Sequence, residues 1–300
     1  MKQWIGLDIG GTGIKGALVD QDGIMSEPVA VPTPALEGRE RILEAAAGLI
    51  GQLEQQASSH DIAGIGIGTA GRVDRQTGSI VYATDNMPGW TGTGIRQEIG
   101  KLFPYRISVE NDVNAAAWGE AWLGAGRDAH SFVLAALGTG IGGAFVYEGR
   151  VLPGLRGGLG EIGHLIMDRE GSLCTCGQRG CWETLCSGTA LSRIARETHA
   201  DWSSRFLVQA YTEGHPDALQ AMDLYLSDLA RGLISVQQAY DPEVIVLGGG
   251  VSDGYPLWSK DLQDKISQFS VVPVRLAKAE LGNRAGIMGA VKWAMTDTTA

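Results

Sequence analysis

Basic charge, long apolar runs and scattered cysteines are what this 300-residue sequence has little of. Lys and Arg total 24 against 34 Asp and Glu, a formal charge of −10. A nucleic-acid partner needs a basic face against its phosphates, so none is expected. No apolar run approaches the roughly eighteen residues of a membrane span, so no membrane partner is expected either. The opening MKQWIGLDIGG goes straight into an apolar strand. It has neither the basic start nor the long apolar stretch of a secretory leader. The cysteines, Cys174, Cys176, Cys181 and Cys186, all fall in one cluster. That is no disulfide framework and points to a reducing, cytoplasmic setting. A thioredoxin-like C-x-x-C is missing, as is a Walker A loop ending in Gly-Lys-Ser/Thr.

What is present is ordinary globular composition, 44% hydrophobic and 19% charged, in a length that suits two domains. Glycine is the outlier, with 44 residues concentrated between strands. Trp4–Ile9 is apolar, Gly10–Gly13 is a glycine turn, and Ile14–Val19 alternates, which reads as a β-hairpin. Gly11, Gly13 and Gly16 match G-x-G-x-x-G, but a dinucleotide fingerprint requires a helix after the glycines, and IKGALVD reads as a strand. Helical periodicity follows over residues 39–57, then a strand at 62–68, a loop-rich segment at 71–90, a short helix near 95–102 and a strand at 106–110. An Ala-rich helix begins at about Val113. The opening then recurs. Gly138-Thr-Gly-Ile-Gly-Gly-Ala-Phe-Val repeats Gly11-Thr-Gly-Ile-Lys-Gly-Ala-Leu-Val at seven of nine positions, 127 residues on. Two related half-molecules are expected, each offering backbone N–H groups at a glycine turn to an anion. Helices near 190–197, 206–213 and 217–240 lead to an apolar strand at 244–247 and Gly248-Gly249-Gly250, where backbone can approach a flat ligand closely. A helix near 257–269, a strand at 274–276 and a helix at 285–295 complete the pattern.

The chain is organised around Gly160–Glu183, GEIGHLIMDREGSLCTCGQRGCWE. His164, Cys174, Cys176 and Cys181 make a donor set that suits a closed, tetrahedral Zn2+; a disulfide pair or idle thiols are the other readings. An ion fixing this loop would also fix Glu161 and Glu183, which otherwise read as solvated acids. His164 has a second ring nitrogen left for a ligand.

Glycine turns with nearby acids suit phosphoryl transfer, where positioning and charge stabilisation dominate. Asp8 stands before the first turn, where it suits Mg2+. Lys15 is a candidate near phosphates or an exposed lysine. Asp112, between strand and helix, is either an N-cap or a base for an attacking hydroxyl. Asn86, Asn111, Glu161 and Glu183 are the side-chain types that surround a polyhydroxylated ligand.

These stretches together, DIGGTG at Asp8–Gly13, ENDVNAA at Glu110–Ala116, LGTGIGG at Leu137–Gly143, GEIGH at Gly160–His164, CTCGQRGCWE at Cys174–Glu183 and VLGGG at Val246–Gly250, resemble the ROK family of sugar kinases over nearly the whole chain. The resemblance implies an α/β, two-domain actin-like, ribonuclease H-like sugar kinase fold with a cleft between the domains. It places residues 1–115 plus 284–300 in a smaller domain and 116–283 in a larger one with a zinc loop. By that likeness Asp112 is the catalytic base, and Asn86, Asn111, Glu161, His164 and Glu183 contact the sugar. His164, Cys174, Cys176 and Cys181 bind structural zinc. Asp8, Gly10, Gly11, Thr12, Lys15, Gly138 and Thr139 serve the phosphates of ATP with Mg2+, and Gly248, Gly249 and Gly250 lie beside adenosine. The implied reaction is ATP-dependent phosphorylation of a hexose, glucose to glucose 6-phosphate, with N-acetylmannosamine or N-acetylglucosamine as alternative sugars, in a homodimer or higher homo-oligomer. GGTGIKG is also similar to the polyphosphate glucokinase branch, but that branch lacks the zinc cysteines, which keeps ATP as the expected donor. Gly158-Leu-Gly stands where Ala-Gly is common before the glutamate, which bears on sugar fit. Two other classes remain to be weighed. One is a sugar-responsive regulator without its DNA-binding domain, disfavoured by a first strand at Trp4 and by the acidic charge. The other is a zinc-stapled binding protein in which Asp112 is only a cap.

Overall fold

The glycine-rich opening is a hairpin followed by strand, not helix. In the computed structural model, which describes residues 2–57, 62–84 and 86–298, β1 (Gln3–Ile9) pairs antiparallel with β2 (Gly13–Asp20) from Gln3↔Asp20 to Ile9↔Ile14. β3 (Val29–Pro32) extends this edge, and α1 (Arg39–Gln56) crosses back to β4 (Ile62–Thr69). Of the residues spaced for one face of α1, Ile42, Ala46, Leu49, Ile50 and Leu53 are buried, while Leu43, expected on the same face, is partly buried at the edge of that core. A small ribbon of β5 (Arg72–Asp74) and β6 (Ser79–Tyr82) occupies part of the segment read as loop-rich. Strands of three and four residues between glycines at positive φ leave no alternation long enough to register. Then come α2 (Ile95–Gly100), β7 (Ile107–Asn111) and α3 (Asp112–Leu123).

The second half opens with β8 (Ser131–Leu137), β9 (Ile141–Tyr147) and β10 (Arg150–Leu152). After the cysteine stretch the chain is helical through α4 (Glu183–Cys186), α5 (Gly188–Thr198), α6 (Ser204–Thr212) and α7 (Pro216–Tyr240). α7 has proline in its first turn, where no N–H bond is lost, and ends at Asp241 in the left-handed region with Pro242 next. β11 (Val244–Gly248), α8 (Tyr255–Phe269), β12 (Leu276–Lys278) and α9 (Ala285–Thr296) follow. β12 begins where the sequence reading ended its last strand; Val274 is instead a buried residue of the core before it.

Contacts divide the chain into two units. One is Met1–Asp128, Val146–Leu159 and Glu280–Ala300; the other is Ala129–Phe145 and Gly160–Ala279. The sequence reading set its boundaries after residue 115 and before residue 284; this division leaves α3 whole in the first unit. The two five-stranded sheets have the same order, β3-β2-β1-β4-β7 and β10-β9-β8-β11-β12. β1–β4 and β4–β7 are parallel, as are β8–β11 and β11–β12. The short internal repeat is thus the visible trace of a duplicated topology.

Each unit has its own core. In the first, Ile5, Leu7, Ile9, Ile65, Ile67 and Val109 of the sheet meet α1. α9 packs on the other side of β1 and β4 and lies against α3 so closely that a Cβ on Gly289 would overlap the Ala115 carbonyl. In the second, Trp182 of the cysteine stretch is fully buried and a Cβ on Gly232 of α7 would overlap its indole. The cysteine stretch is therefore rooted in the core by its own tryptophan.

Candidate active site

In the first unit the ends of β1 and β7 carry the candidate acids. Asp8 lies across the hairpin from Lys15 and beside Gly68 of β4. Burial raises the Asp8 pKa and the Lys15 charge lowers it in part. Lys15 therefore faces Asp8. The turn itself is tied by Gly10 N–H to Gly13 O at 3.0 Å and by the Thr33 hydroxyl to Gly10 O at 2.6 Å. Asn86 is exposed, its carbonyl 3.8 Å from where a Cβ of Gly11 would stand.

The N-cap position beside Asp112 is taken by its neighbour. Asn111 is the N-cap of α3: its side-chain oxygen accepts from Val113 N–H and Asn114 N–H, each at 3.0 Å. The Asn111 amide donates to Gly71 O and to Asp112 Oδ1, both at 2.9 Å. Its oxygen and both amide protons are thereby engaged within the chain. Asp112 also accepts from Val113 N–H at 2.9 Å. Burial first, then the Asp8 carboxylate, push the Asp112 pKa up to about 7, against these hydrogen bonds. A carboxylate with that pKa is matched to taking a proton near neutral pH.

Beneath this turn lies a residue that the sequence reading quoted but gave no role. Glu110 is buried, its Oε1 accepting from Asn111 N–H at 2.8 Å and from the Asn114 amide at 3.1 Å, while its other oxygen pairs with Arg75. Its place in a short β-strand with Ile107 and Val109, where an unpaired acid is costly, is the available signal.

In the second unit Glu161, His164 and Glu183 converge. His164 Nε2 is 3.7 Å from Glu161 Oε2, and His164 Nδ1 is 3.8 Å from Glu183 Oε1. The other Glu183 oxygen accepts from Ile141 N–H at 3.3 Å, directly after the second glycine turn. The cysteine donors fit zinc. His164 Nδ1 is 3.6 Å from Cys174 Sγ, Cys176 Sγ is 3.6 Å from Cys181 Sγ, and all four donor atoms lie within 4.8 Å of one another. Tetrahedral bonds of about 2.0–2.3 Å place neighbouring donors roughly 3.4–3.8 Å apart, whereas a disulfide needs sulfurs at about 2.05 Å. The thiols are free. Cys186 stands outside the set, buried against the Tyr225 carbonyl at 3.8 Å.

Thr139 and Gly138, Gly188 and Thr189, Gly250 and Val251 border a cavity of about 960 Å³ walled by α5, α6 and the start of α8. Gly188 N–H reaches Gly138 O at 2.7 Å and the Thr189 hydroxyl reaches Thr139 O at 2.8 Å, which ties the glycine turn to α5. Gly249 has φ +80°, and a Cβ there would lie 2.5 Å from the Leu137 carbonyl, so its glycine is required by packing against β8. Gly250 lines the cavity, whereas Gly248 and Gly249 are not among its lining residues and pack toward Leu134 and Leu137 of β8. Arg196 and Arg205 also line it. Neither was picked out in sequence, since arginine on an amphipathic helix reads as a solvated face.

The ROK family profile matches residues 4–297 of the chain. A glucokinase of Thermotoga maritima is 32% identical, the match covering 95% of either protein, and a glucokinase of Streptomyces coelicolor is 34% identical over the same shares. Among solved structures, a ROK family glucokinase from Streptomyces griseus in complex with glucose and AMPPNP superposes with a TM-score of 0.84 at 30% identity, covering 98% of this chain and 100% of that one.

Proposed function

The chain belongs to the ROK family, and we propose that it transfers the terminal phosphoryl group of ATP to a hexose, converting glucose to glucose 6-phosphate. The observation that carries the mechanism is Asp112 at the start of α3, held by Asn111 and raised to a pKa of about 7. Its carboxylate takes the proton of the sugar hydroxyl as that oxygen bonds to the γ-phosphorus and the bond to ADP breaks; the proton rests on Asp112 until solvent removes it. Asn111 presents Asp112 to the sugar. Glu161, His164, Glu183 and Asn86 are the sugar-recognising side chains, with carboxylates accepting from hydroxyls.

Asp8 suits Mg2+, a hard cation that takes carboxylate and phosphate oxygens and would offset charge on the transferring group. Lys15 limits the like-charge cost of Asp8 and Asp112. The turn at Gly10, Gly11 and Thr12 and that at Gly138 and Thr139 offer backbone N–H to phosphate. The cavity beside Gly250 suits the nucleoside, with Gly248 and Gly249 leading into Gly250 from the end of β11. Zinc on His164, Cys174, Cys176 and Cys181 would fix the loop that carries Glu161 and Glu183. Free thiols suit the cytoplasm, and no helix among the described residues is long and apolar enough to cross a membrane. A homodimer or larger homo-oligomer is the expected assembly.

ADP release coupled to a reporter, measured with ATP and a panel of glucose, N-acetylglucosamine and N-acetylmannosamine, tests the reading. The highest kcat/KM should fall on glucose. A preference for either N-acetyl sugar would move the substrate, and turnover of none would remove the kinase reading.

A further inference from the structure

His199, His215 and Asp217 form a second group of donors in the second unit, sharing no residue with the cysteine set. His199 is the C-cap of α5, His215 the N-cap of α7, and Asp217 lies in the first turn of α7. One donor atom from each lies within 4.8 Å of the others, with His199 Nε2 2.9 Å from Asp217 Oδ2. Ligand bonds of about 2.0–2.2 Å set neighbouring donors roughly 3–3.5 Å apart, so small side-chain rotations bring all three onto one ion. The backbone holds the anchors in place. Trp202 N–H donates to His199 O, His215 N–H to Ala210 O, and Leu219 N–H to His215 O, each at 2.9 Å. The Trp202 indole flanks both imidazoles, its centroid 4.3 Å from that of His199 and 5.2 Å from that of His215. An exposed His–Asp pair contributes little by itself and gives no reason for a second imidazole to sit within reach.

We propose that these three residues bind a divalent transition-metal ion. Two imidazoles and one carboxylate favour Zn2+, Ni2+ or Cu2+ over Mg2+ or Ca2+. The side chains of His199 and Asp217 are 40% and 55% exposed, so the ion would exchange with solvent and keep water in its remaining positions. The ion would join the end of α5 to the start of α7 and so hold α6 between them. Arg205, Val208 and Gln209 of α6 line the cavity beside Gly138, which makes this a clamp on one wall of the proposed nucleoside pocket. The ion-binding claim does not depend on the kinase reading.

The test is Ni2+ titration by calorimetry into tag-free, zinc-replete protein, with zinc counted by elemental analysis. Wild type should take up one Ni2+ per chain without losing its zinc. The double variant H199A/H215A should bind Ni2+ at least tenfold more weakly and keep its zinc. His215→Gln leaves the His199–Asp217 pair in place and should also bind at least tenfold more weakly, so a loss there is not a loss of fold. Bound Cu2+ should give an electron paramagnetic resonance spectrum with coupling to two nitrogens. Equal Ni2+ affinity in wild type and His215→Gln, or coupling to fewer than two nitrogens, would overturn the proposal.

Discussion

The two sheets share one strand order, yet the chain loads them differently. In the first, the connection from the edge strand back to β4 holds a 3-10 turn at Ala35–Glu37 and α1 among the described residues. In the second, the same connection, from β10 to β11, holds the cysteine stretch and α4–α7. The last strand of the first sheet, β7, runs directly into Asp112 and α3, whereas its counterpart β12 is followed by Ala279 and Glu280 and reaches the next α-helix only at Ala285. The first glycine turn is followed by Lys15 facing Asp8; the second has Gly142 at that position and takes the Glu183 carboxylate on the N–H of Ile141 instead. One strand order is thus elaborated unequally: Asp112 and α3 follow the last strand of the first sheet, and the cysteine stretch is carried by the second, so the proposed base and the proposed sugar-recognising loop fall on different copies.

That division can be broken from either side. The largest effect is expected at the base. Asp112→Asn should lower kcat by about 10²–10⁴ with glucose affinity by calorimetry nearly unchanged; equal losses in both would assign Asp112 to folding. Next is the loop of the other copy. Cys176→Ser, or zinc removal by a chelator, should raise the KM for glucose by about 10–100-fold, read from saturation curves, with a smaller change in kcat. Unchanged KM in zinc-free protein would separate the metal from recognition. The cores come third. Gly232→Ala, against Trp182, and Gly289→Ala, against Ala115, should each cost about 1–3 kcal/mol by overpacking, seen in denaturant melts. Only Gly232→Ala should also weaken zinc retention, because Trp182 roots the cysteine stretch. The smallest effect is expected for Lys15→Met. Losing this partly exposed pairing with Asp8 is worth about 0.2–1 kcal/mol, a few-fold change in the Mg2+ concentration for half-maximal rate.

Much of this was legible in residue order. The periodicity of Ile42, Leu43, Ala46, Leu49, Ile50 and Leu53 predicted α1 and, apart from the partly buried Leu43, its buried face, and the absence of helical pattern after Gly13 predicted a hairpin. The donor spacing from His164 to Cys181 predicted a group that the structure brings within 4.8 Å. The ribbon at Arg72–Tyr82 was not legible, because strands so short leave no alternation to detect. Nor was the N-cap. Asn111 and Asp112 are equally good caps by type, and only the backbone places the Asn111 oxygen on two N–H groups. Arg196 and Arg205 escaped because a cavity wall and a solvated face have the same sequence pattern, and Glu110 because its partner Arg75 lies 35 positions earlier.

The central claim is that Asp112 is the base, and the pH dependence of kcat/KM for glucose tests it most directly. A carboxylate raised to about 7 by burial and by Asp8 is protonated below that pH and cannot accept the hydroxyl proton. The rate constant should therefore fall about tenfold per pH unit on the acid side of an apparent pKa near 7 and level off above it. A profile that stays flat down to the ordinary carboxylate range, about pH 4, would contradict the account.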